Sequence, residues 1–130
     1  MSTIKVGTLL AADGSTTTQP SIPALDKRMA KAWVHFNGQS TIAILDSYNV
    51  SSLTDHGTGN YSANFQTNMS STHYTSVGGC IGASAGWYSN VLGGYLPTVG
   101  SIRFKTPNVV DANNLVLQDL NRVNIIVFGA

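Results

Sequence analysis

The sequence predicts an all-β protein: an antiparallel, jelly-roll-like β-sandwich head preceded by a short extended N-terminal arm. Apolar and polar residues alternate in several short stretches, which is the pattern of strands with one buried face. Turn-forming residues separate these stretches at the spacing typical of a sandwich or barrel. Ser, Thr, Asn and Gln fill 42 of the 130 positions and Glu is absent, so exposed helix faces would lack their usual residues.

Residues 1–29 differ in composition from the rest, and we expect them to form an arm that anchors the head domain, residues 30–130. Pro20 and Pro23 lack a backbone donor and favour extended backbone over a central strand. Residues 24–31 contain the only predicted helical turn. The apolar residues of the arm are candidates for one short strand and for docking on another protein: Ile4, Val6, Leu9 and Leu10.

In the head, the period-two pattern predicts a series of strands, of which the second is expected to be buried. The predicted strands cover residues 32–36, 41–45, 61–65, 73–77, 100–105, 115–117 and 123–128. Asn37-Gly38 predicts a hairpin turn after the first strand, and Tyr48 and Val50 are expected to continue the second. Residues 55–60 contain two glycines able to adopt positive φ and predict a further turn, in which Asp55 caps its own backbone.

Residues 77–100 contain seven of the 13 glycines together with three aromatic residues. Glycine at this density favours bulges and loops, and aromatic rings offer amphipathic contact area. Two interpretations stay open: the rings pack on the core beneath the loops, or they form a binding face at one end of the sandwich. The second interpretation assigns ligand contacts to Trp87, Tyr88, Asn90 and Tyr95.

No catalytic, cofactor-binding or metal-ligating residue is predicted. His35, His56 and His73 lack the spacing of a zinc site. No nucleophile signature surrounds Cys80, and a lone cysteine is more often a small buried residue. The six acids are all Asp and provide no recognisable carboxylate pair for glycoside hydrolysis. The sequence therefore favours a binding or building role, without a cofactor, over an enzyme.

The charge pattern excludes further classes of partner. Only 10% of the residues are charged and the formal net charge is +1, against about 25% charged residues in an average domain. This balance predicts no binding to nucleic acid or to an anionic membrane surface. The apolar runs are too short for a membrane span or a signal peptide, so we expect synthesis and folding in a reducing cytosol.

The most informative motif lies in residues 32–69, AWVHFNGQSTIAILDSYNVSSLTDHGTGNYSANFQTNM. The pattern AWV-x-FNG, followed by SYNVSSLTD-x-GTG-x-Y and an alternating strand that ends in Met, resembles a block of small tail-fibre-like structural proteins of tailed bacteriophages. The arm MSTIKVGTLL and the closing VNIIVFGA fit the same group. Residues 70–122 show no resemblance.

This resemblance implies an all-β domain, made in the bacterial cytoplasm, that assembles as a homotrimer on the virion. It also implies attachment to the host surface or to other virion proteins, and no catalytic residues. The family pattern more often has Asn at the positions of His35 and His56, and Asp at that of Asn60, so neither histidine inherits a role. Few charged residues lie in the predicted strands to prevent association between exposed strand edges, which independently favours an oligomer.

We therefore expect the apolar arm residues to dock on the virion and residues 78–98 to contact a host glycan or surface protein. The alternative is a capsid decoration or head-fibre protein, in which the same sandwich stabilises the shell. A third hypothesis is a glycan-degrading hydrolase. It would need a carboxylate pair or a Cys80 triad that the sequence does not reveal.

Overall fold

The computed structural model describes residues 2–14, 23–26, 28–81, 90–92, 94–111 and 114–129, with only the backbone described at 24, 90–92, 108–111 and 114–115. Over these ranges the chain forms one helical turn and eleven strands. In chain order they are α1 Pro23–Asp26, β1 Ala30–Asn37, β2 Ala43–Tyr48, β3 Val50–Asp55, β4 Asn60–Phe65, β5 Tyr74–Ile81, β6 Asn90–Leu92, β7 Gly94–Tyr95, β8 Ser101–Lys105, β9 Pro107–Asp111, β10 Asn114–Leu117 and β11 Arg122–Gly129.

All strand pairs among the described residues are antiparallel. Five strands form one sheet in the order β2-β1-β11-β5-β6, and four form a second in the order β3-β4-β8-β7; β9 and β10 form a two-stranded ribbon. The prediction of an all-β, antiparallel fold is confirmed. Within the described ranges, no helix has the length and apolar character needed to cross a membrane.

Alternating residues of the central strands form one core between the two sheets. The five-stranded sheet contributes Ala32, Val34 and Phe36 of β1, Cys80 of β5, and Val123, Ile125 and Val127 of β11. The four-stranded sheet contributes Val50 of β3, Tyr61, Ala63 and Phe65 of β4, and Ile102 and Phe104 of β8. The Phe36 ring meets the Tyr61 ring edge-on with centroids 5.2 Å apart. The two sheets therefore pack face to face, as in a β-sandwich.

The prediction of a buried strand at residues 41–45 is wrong. The strand in this region, β2, begins at Ala43, and the side chains of Ala43, Ile44 and Leu45 are exposed. Strand β2 lies at the edge of the five-stranded sheet and, among the described strands, pairs only with β1. An edge strand has a neighbouring strand on one side only and is less covered than a central strand. The apolar run at residues 41–45 therefore correctly predicts a strand but does not predict that its side chains are buried.

The hairpin predicted after Asn37 is confirmed, because β1 and β2 are antiparallel neighbours, but its loop is longer than a two-residue turn at Asn37-Gly38. Residues 38–42 join β1 to β2, and the Gly38 N–H donates to the carbonyl of Leu120 at 2.8 Å. A Cβ at Gly38 would lie 2.8 Å from the Tyr61 hydroxyl. Glycine at this position therefore permits the hairpin loop to pack closely against Tyr61.

The N-terminal segment contains no strand over its described residues 2–14, contrary to the short strand predicted at 4–10. A lone strand cannot satisfy its backbone groups without a neighbour. The helical turn predicted within residues 24–31 is described at Pro23–Asp26, and residues 30–31 already belong to β1. Lys31 of β1 and Asp26 of this turn form an ion pair across the junction.

Strand β5 continues past its predicted end at Val77 to Ile81 and includes Gly78. Gly78 lies opposite Ile125 of β11, and a Cβ there would collide with the backbone carbonyl of Asn124. The glycine permits a close approach of two strands, although its sequence neighbourhood resembles a loop.

Asn49 forms the corner at which the chain leaves the five-stranded sheet and enters the four-stranded sheet, so the predicted strand does not continue through it. Its φ is 53°, a left-handed conformation that Asn adopts more readily than most residues. Its Nδ2 donates to the carbonyls of Lys31 at 3.0 Å and Thr67 at 3.1 Å, and its Oδ1 accepts the Thr67 N–H at 2.7 Å. The side chain thereby fastens β1 to the segment that follows β4.

Candidate functional site

The outer face of the four-stranded sheet is polar, and we call it the polar face. Apolar residues of β4 and β8 point into the core, so the residues between them point outward. Its described members are Ser52 and Thr54 of β3, Asn60, Ser62 and Asn64 of β4, Tyr95 of β7, and Ser101, Arg103 and Lys105 of β8. Among these members only Arg103 and Lys105 carry a permanent charge.

Tyr95 crosses the polar face from one strand to another. Its backbone pairs with Arg103 of β8, and its hydroxyl lies 3.0 Å from Oδ1 of Asn60 on β4. Asn60 in turn pairs with Lys105. The Tyr95 side chain therefore spans strand β8, with the side chains of Arg103 and Lys105 beside its ring.

One atom, Oδ1 of Asn60, orients this group. It accepts from Nε of Arg103 at 3.0 Å and from the Tyr95 hydroxyl at 3.0 Å. Because an Nε–H group only donates, the amide atom that faces it must be the oxygen. The Tyr95 hydroxyl consequently directs its one proton at Asn60 and presents its lone pairs as acceptors. No described residue accepts a hydrogen bond from Nδ2 of Asn60.

Two cations flank the Tyr95 ring. Cζ of Arg103 lies 5.9 Å and Nζ of Lys105 lies 5.2 Å from the ring centroid, within the range of cation–π attraction. In the described part of the chain, the one ion pair joins Lys31 and Asp26. Neither Arg103 nor Lys105 has a carboxylate partner there, so this part of the polar face presents positive charge.

The rest of the polar face is bonded within itself and to the adjacent turn. Nδ2 of Asn64 reaches the hydroxyls of Ser52 at 3.0 Å and Thr54 at 2.9 Å on the neighbouring strand. Nε2 of His56 lies 2.9 Å from the Ser62 hydroxyl. These contacts orient amide and hydroxyl groups on the polar face.

The turn at residues 55–60 places Asn60 at the start of β4, and its prediction from the sequence is confirmed. Gly57 and Gly59 have φ values of 109° and 62°, and Oδ1 of Asp55 accepts the Gly57 N–H at 2.8 Å. A Cβ at Gly59 would lie 2.7 Å from the backbone nitrogen of Gln118. Gly59 is therefore required both for its conformation and for this close approach.

Tyr61 anchors the start of β4 in the core, one residue after Asn60. Its hydroxyl donates to Oδ1 of Asp119 at 2.5 Å, and the same oxygen accepts the Gly59 N–H at 2.7 Å. Burial, the hydrogen bond to Asp119 and the negative charges of Asp119 and Asp55 raise the pKa of Tyr61 well above its usual range. The phenol thus stays protonated and keeps its role as the donor that holds this strand in place.

The outer face of the five-stranded sheet has different chemistry. Across β2, β1, β11 and β5, successive pairing partners form what we call the apolar row: Tyr48, Trp33, Ile126 and Val77. Ile126 is 37% exposed and Val77 is 50% exposed. Tyr48 and Trp33 are half-buried. Adjacent apolar side chains that remain at the surface are typical of a site covered by another protein chain.

The arm residues predicted to dock on another protein are exposed: Ile4, Val6, Leu9 and Leu10. Ile4 has 87% of its surface in contact with solvent. Covering apolar surface contributes about 25 cal/mol per Å². The described arm therefore offers contact area that the chain itself does not cover.

The structure places two of the four residues predicted to contact a ligand. Tyr95 lies in β7 of the four-stranded sheet, whereas Asn90 lies in β6 of the five-stranded sheet, where its backbone pairs with Cys80. Trp87 and Tyr88 lie outside the described residues. Tyr95 and Asn90 therefore belong to strands in different sheets.

Sequence analysis missed Arg103, Lys105 and Asn60, which surround Tyr95. The alternation within residues 101–105 was a usable signal, because it places both cations on one outward face. No sequence pattern predicts that β7 pairs with β8. Strand β7 is very short, and the spacing of residues does not specify its partner.

The described residues contain no group of three or more His, Cys or Asp side chains that could hold a metal ion. His35 lies on the outer face of the five-stranded sheet, opposite Asp46 and Asn124. Cys80 lies in the core on β5, whereas Asp55 and His56 lie at the turn before β4.

Comparisons with known proteins give no relative: no family model matches the chain, and no curated protein or solved structure matches it.

Proposed function

We propose that this protein is a non-enzymatic structural protein of a bacteriophage virion, with a tail-fibre-like head that attaches to the host cell surface. The jelly-roll-like head, residues 30–130, is displayed on the virion, and residues 1–29 anchor it. The protein works as a homotrimer without a cofactor. Its partners are other virion proteins and a host glycan or surface protein, and it binds neither nucleic acid nor membrane.

The contrast between the two outer sheet faces is the observation that carries this proposal. The polar face presents fixed amide, hydroxyl, phenol and cationic groups, which suit the recognition of a polar ligand. The apolar row presents surface that suits contact with another protein chain. A head that is built into an assembly and also meets a host surface needs one face of each kind.

Two further features support assembly. The exposed apolar arm can add to the edge of a neighbouring sheet, as extended segments do. Strand β2 is such an edge, with Ile44 and Leu45 exposed. In a homotrimer, arms, edges and apolar rows would be covered by neighbouring copies or by other virion proteins.

The resemblance of residues 32–69 to phage tail-fibre-like proteins supports the same function. Its motif residues have clear structural roles in this chain: Asn49 at the corner, Gly57 and Gly59 in the turn, and Tyr61 in the core. The second candidate, a capsid decoration or head-fibre protein, would use the same arm and apolar row. It would not require the polar face to bind a ligand.

Location on the virion tests the proposal. Antibodies raised against the protein should label the tail in electron micrographs of purified virions. Label confined to the capsid would overturn the attachment function and favour the decoration protein.

Binding of the purified protein to host cells provides a second test. Tyr95→Ala should weaken binding, whereas Asn124→Ala, on the outer face of the other sheet, should leave it unchanged. Equal binding by the two variants would remove the polar face from the attachment mechanism.

Trp87→Ala and Tyr88→Ala test the two predicted contacts outside the described residues. Release of reducing ends from host polysaccharide would favour the hydrolase.

A further inference from the structure

We infer that the polar face binds an acidic saccharide, with the sugar's anionic group held between Arg103 and Lys105. This inference deepens the proposed attachment function and rests on it. The ligand is a carbohydrate that carries a carboxylate, sulfate or phosphate substituent.

The hydrogen bond between Arg103 and Asn60 leaves the outer edge of the guanidinium available. Among the described residues, the guanidinium donates only from Nε, to Oδ1 of Asn60 at 3.0 Å. Its terminal nitrogens carry four further N–H groups, which form the fork that grips a carboxylate or sulfate in bidentate fashion. Since Nε is already fixed, little side-chain freedom is lost when an anion binds.

Lys105 supplies a second cation on the same side of the strand. Arg103 and Lys105 are separated by one residue in β8, so both point outward, and both lie beside the Tyr95 ring. Neither is neutralised by a carboxylate in the described chain. Two of the seven basic residues of a nearly neutral protein are thus concentrated at one site, where they favour a single anionic group.

The groups around the cations suit a sugar. Nδ2 of Asn60 is a donor and the Tyr95 hydroxyl is an acceptor, as the geometry at Oδ1 of Asn60 requires. Ser101 adds a hydroxyl on the same face, whereas Ser62 is buried. A saccharide presents alternating donors and acceptors on a partly apolar ring, which such a mixture of neutral polar groups and one aromatic side chain can match.

A nucleic acid fits this site less well. Its affinity depends on neutralising many phosphates along a strand, and the polar face has two cations within a protein whose net charge is +1. The site is therefore matched to one anionic group with neutral contacts beside it.

Isothermal titration calorimetry on the purified full chain tests the inference with oligogalacturonate, its carboxyl-reduced neutral counterpart, and a single-stranded DNA oligonucleotide as probes. We expect binding to the acidic sugar alone, weakened by added salt. Arg103→Gln should weaken binding about 10-fold or more, because it removes a charged bidentate donor. Lys105→Gln should weaken it by a smaller factor. Arg122→Gln removes an exposed cation from β11 of the other sheet and should have no effect.

Several results would overturn the inference: equal affinity for the acidic and neutral sugars, tighter binding of DNA than of the sugar, no measurable binding of the sugar, or wild-type affinity in Arg103→Gln. Lys105→Gln replaces an exposed side chain that has no hydrogen bond to a described residue, so this variant should fold. If Arg103→Gln unfolds, Lys105→Gln still shows whether losing a cation weakens ligand binding. Attachment is measured separately on host cells. Wild-type cell binding that is unaffected by Arg103→Gln and Lys105→Gln would retain the proposed function and reject the acidic-sugar site.

Discussion

The Tyr61 hydroxyl donates a 2.5 Å hydrogen bond to Asp119, a residue 58 positions later in the chain. Tyr61 is fully buried on β4, and Asp119 precedes β11, so the bond joins the four-stranded sheet to the entry of the five-stranded sheet. The Gly59 N–H donates to the same carboxylate oxygen at 2.7 Å. Asp119 thereby holds the turn that carries Asn60 and the strand that carries the core tyrosine.

Removing the Tyr61 hydroxyl should destabilise the protein. Tyr61→Phe keeps the ring in the core but leaves the Asp119 carboxylate without one of its donors, at a cost of about 1–3 kcal/mol in the free energy of unfolding. Urea denaturation measures this change. The control is Tyr48→Phe, whose hydroxyl has no hydrogen-bond partner among the described residues, and it should change stability little. Equal stability of the two variants would contradict the role assigned to Tyr61.

Stability should fall at alkaline pH. Because burial and its neighbours raise the pKa of Tyr61, the native phenol keeps its proton at a pH where the unfolded phenol has lost it. The stabilisation is complete below the unfolded pKa of about 10 and is lost as the pH rises above it, by up to about 1.4 kcal/mol per pH unit. Burial also raises the pKa of Tyr74 and adds to this loss.

Denaturation of the wild type and of Tyr61→Phe at increasing alkaline pH separates the contribution of Tyr61 to the loss of stability from that of Tyr74. The variant lacks the Tyr61 contribution, so its free energy of unfolding should fall less steeply. An identical alkaline slope for both proteins would show that the pKa of Tyr61 is not raised by folding.

Two substitutions at Asn49 should show how much its backbone conformation and its side-chain hydrogen bonds each contribute to stability. Asn49→Gly retains the left-handed conformation and loses three hydrogen bonds to Lys31 and Thr67. Asn49→Ala also adds the strain of positive φ, about 1 kcal/mol or more. We expect wild type to be the most stable, then Asn49→Gly, then Asn49→Ala, measured by urea denaturation. An alanine variant as stable as the glycine variant would mean that φ at this corner carries no cost.

Alanine should be poorly tolerated at Gly78 and well tolerated at Gly100. A Cβ at Gly78 would collide with the backbone carbonyl of Asn124, so β5 must move away from β11. The cost is that of an overpacked core, about 1–3 kcal/mol. At Gly100 the nearest atom is Oδ1 of Asn68 at 3.4 Å, an ordinary contact. Thermal unfolding of both variants checks this, and equal melting temperatures would contradict the close strand approach.

Charging the apolar row should disrupt the proposed homotrimer. Ile126→Lys places an ammonium in the centre of the row, whereas Asn124→Lys places one two residues away on the same strand and outside the row. Light scattering should give a trimer mass for wild type and Asn124→Lys, and a smaller mass for Ile126→Lys. A trimer that persists in Ile126→Lys would exclude the apolar row from the interface.

The alternation of side chains was readable from the sequence wherever one face of a strand is buried. The strands predicted at residues 61–65 and 100–105 are β4, Asn60–Phe65, and β8, Ser101–Lys105, with their odd and even positions on opposite faces. The turn at residues 55–60 was readable for a similar reason, since Asp and Gly have local preferences that a turn satisfies without distant contacts. The burial of residues 41–45 could not be predicted in this way, because burial depends on what covers a strand.

The sequence by itself thus determined the all-β class, most of the strands and the turn before Asn60. The tertiary structure decided that β7 pairs with β8, which brings Tyr95 to the two cations of β8 and to Asn60. It also decided the change of sheet at Asn49 and the close packing at Gly78. A period of two is a local property of the chain, whereas the choice of neighbouring strands follows from how two sheets share one core.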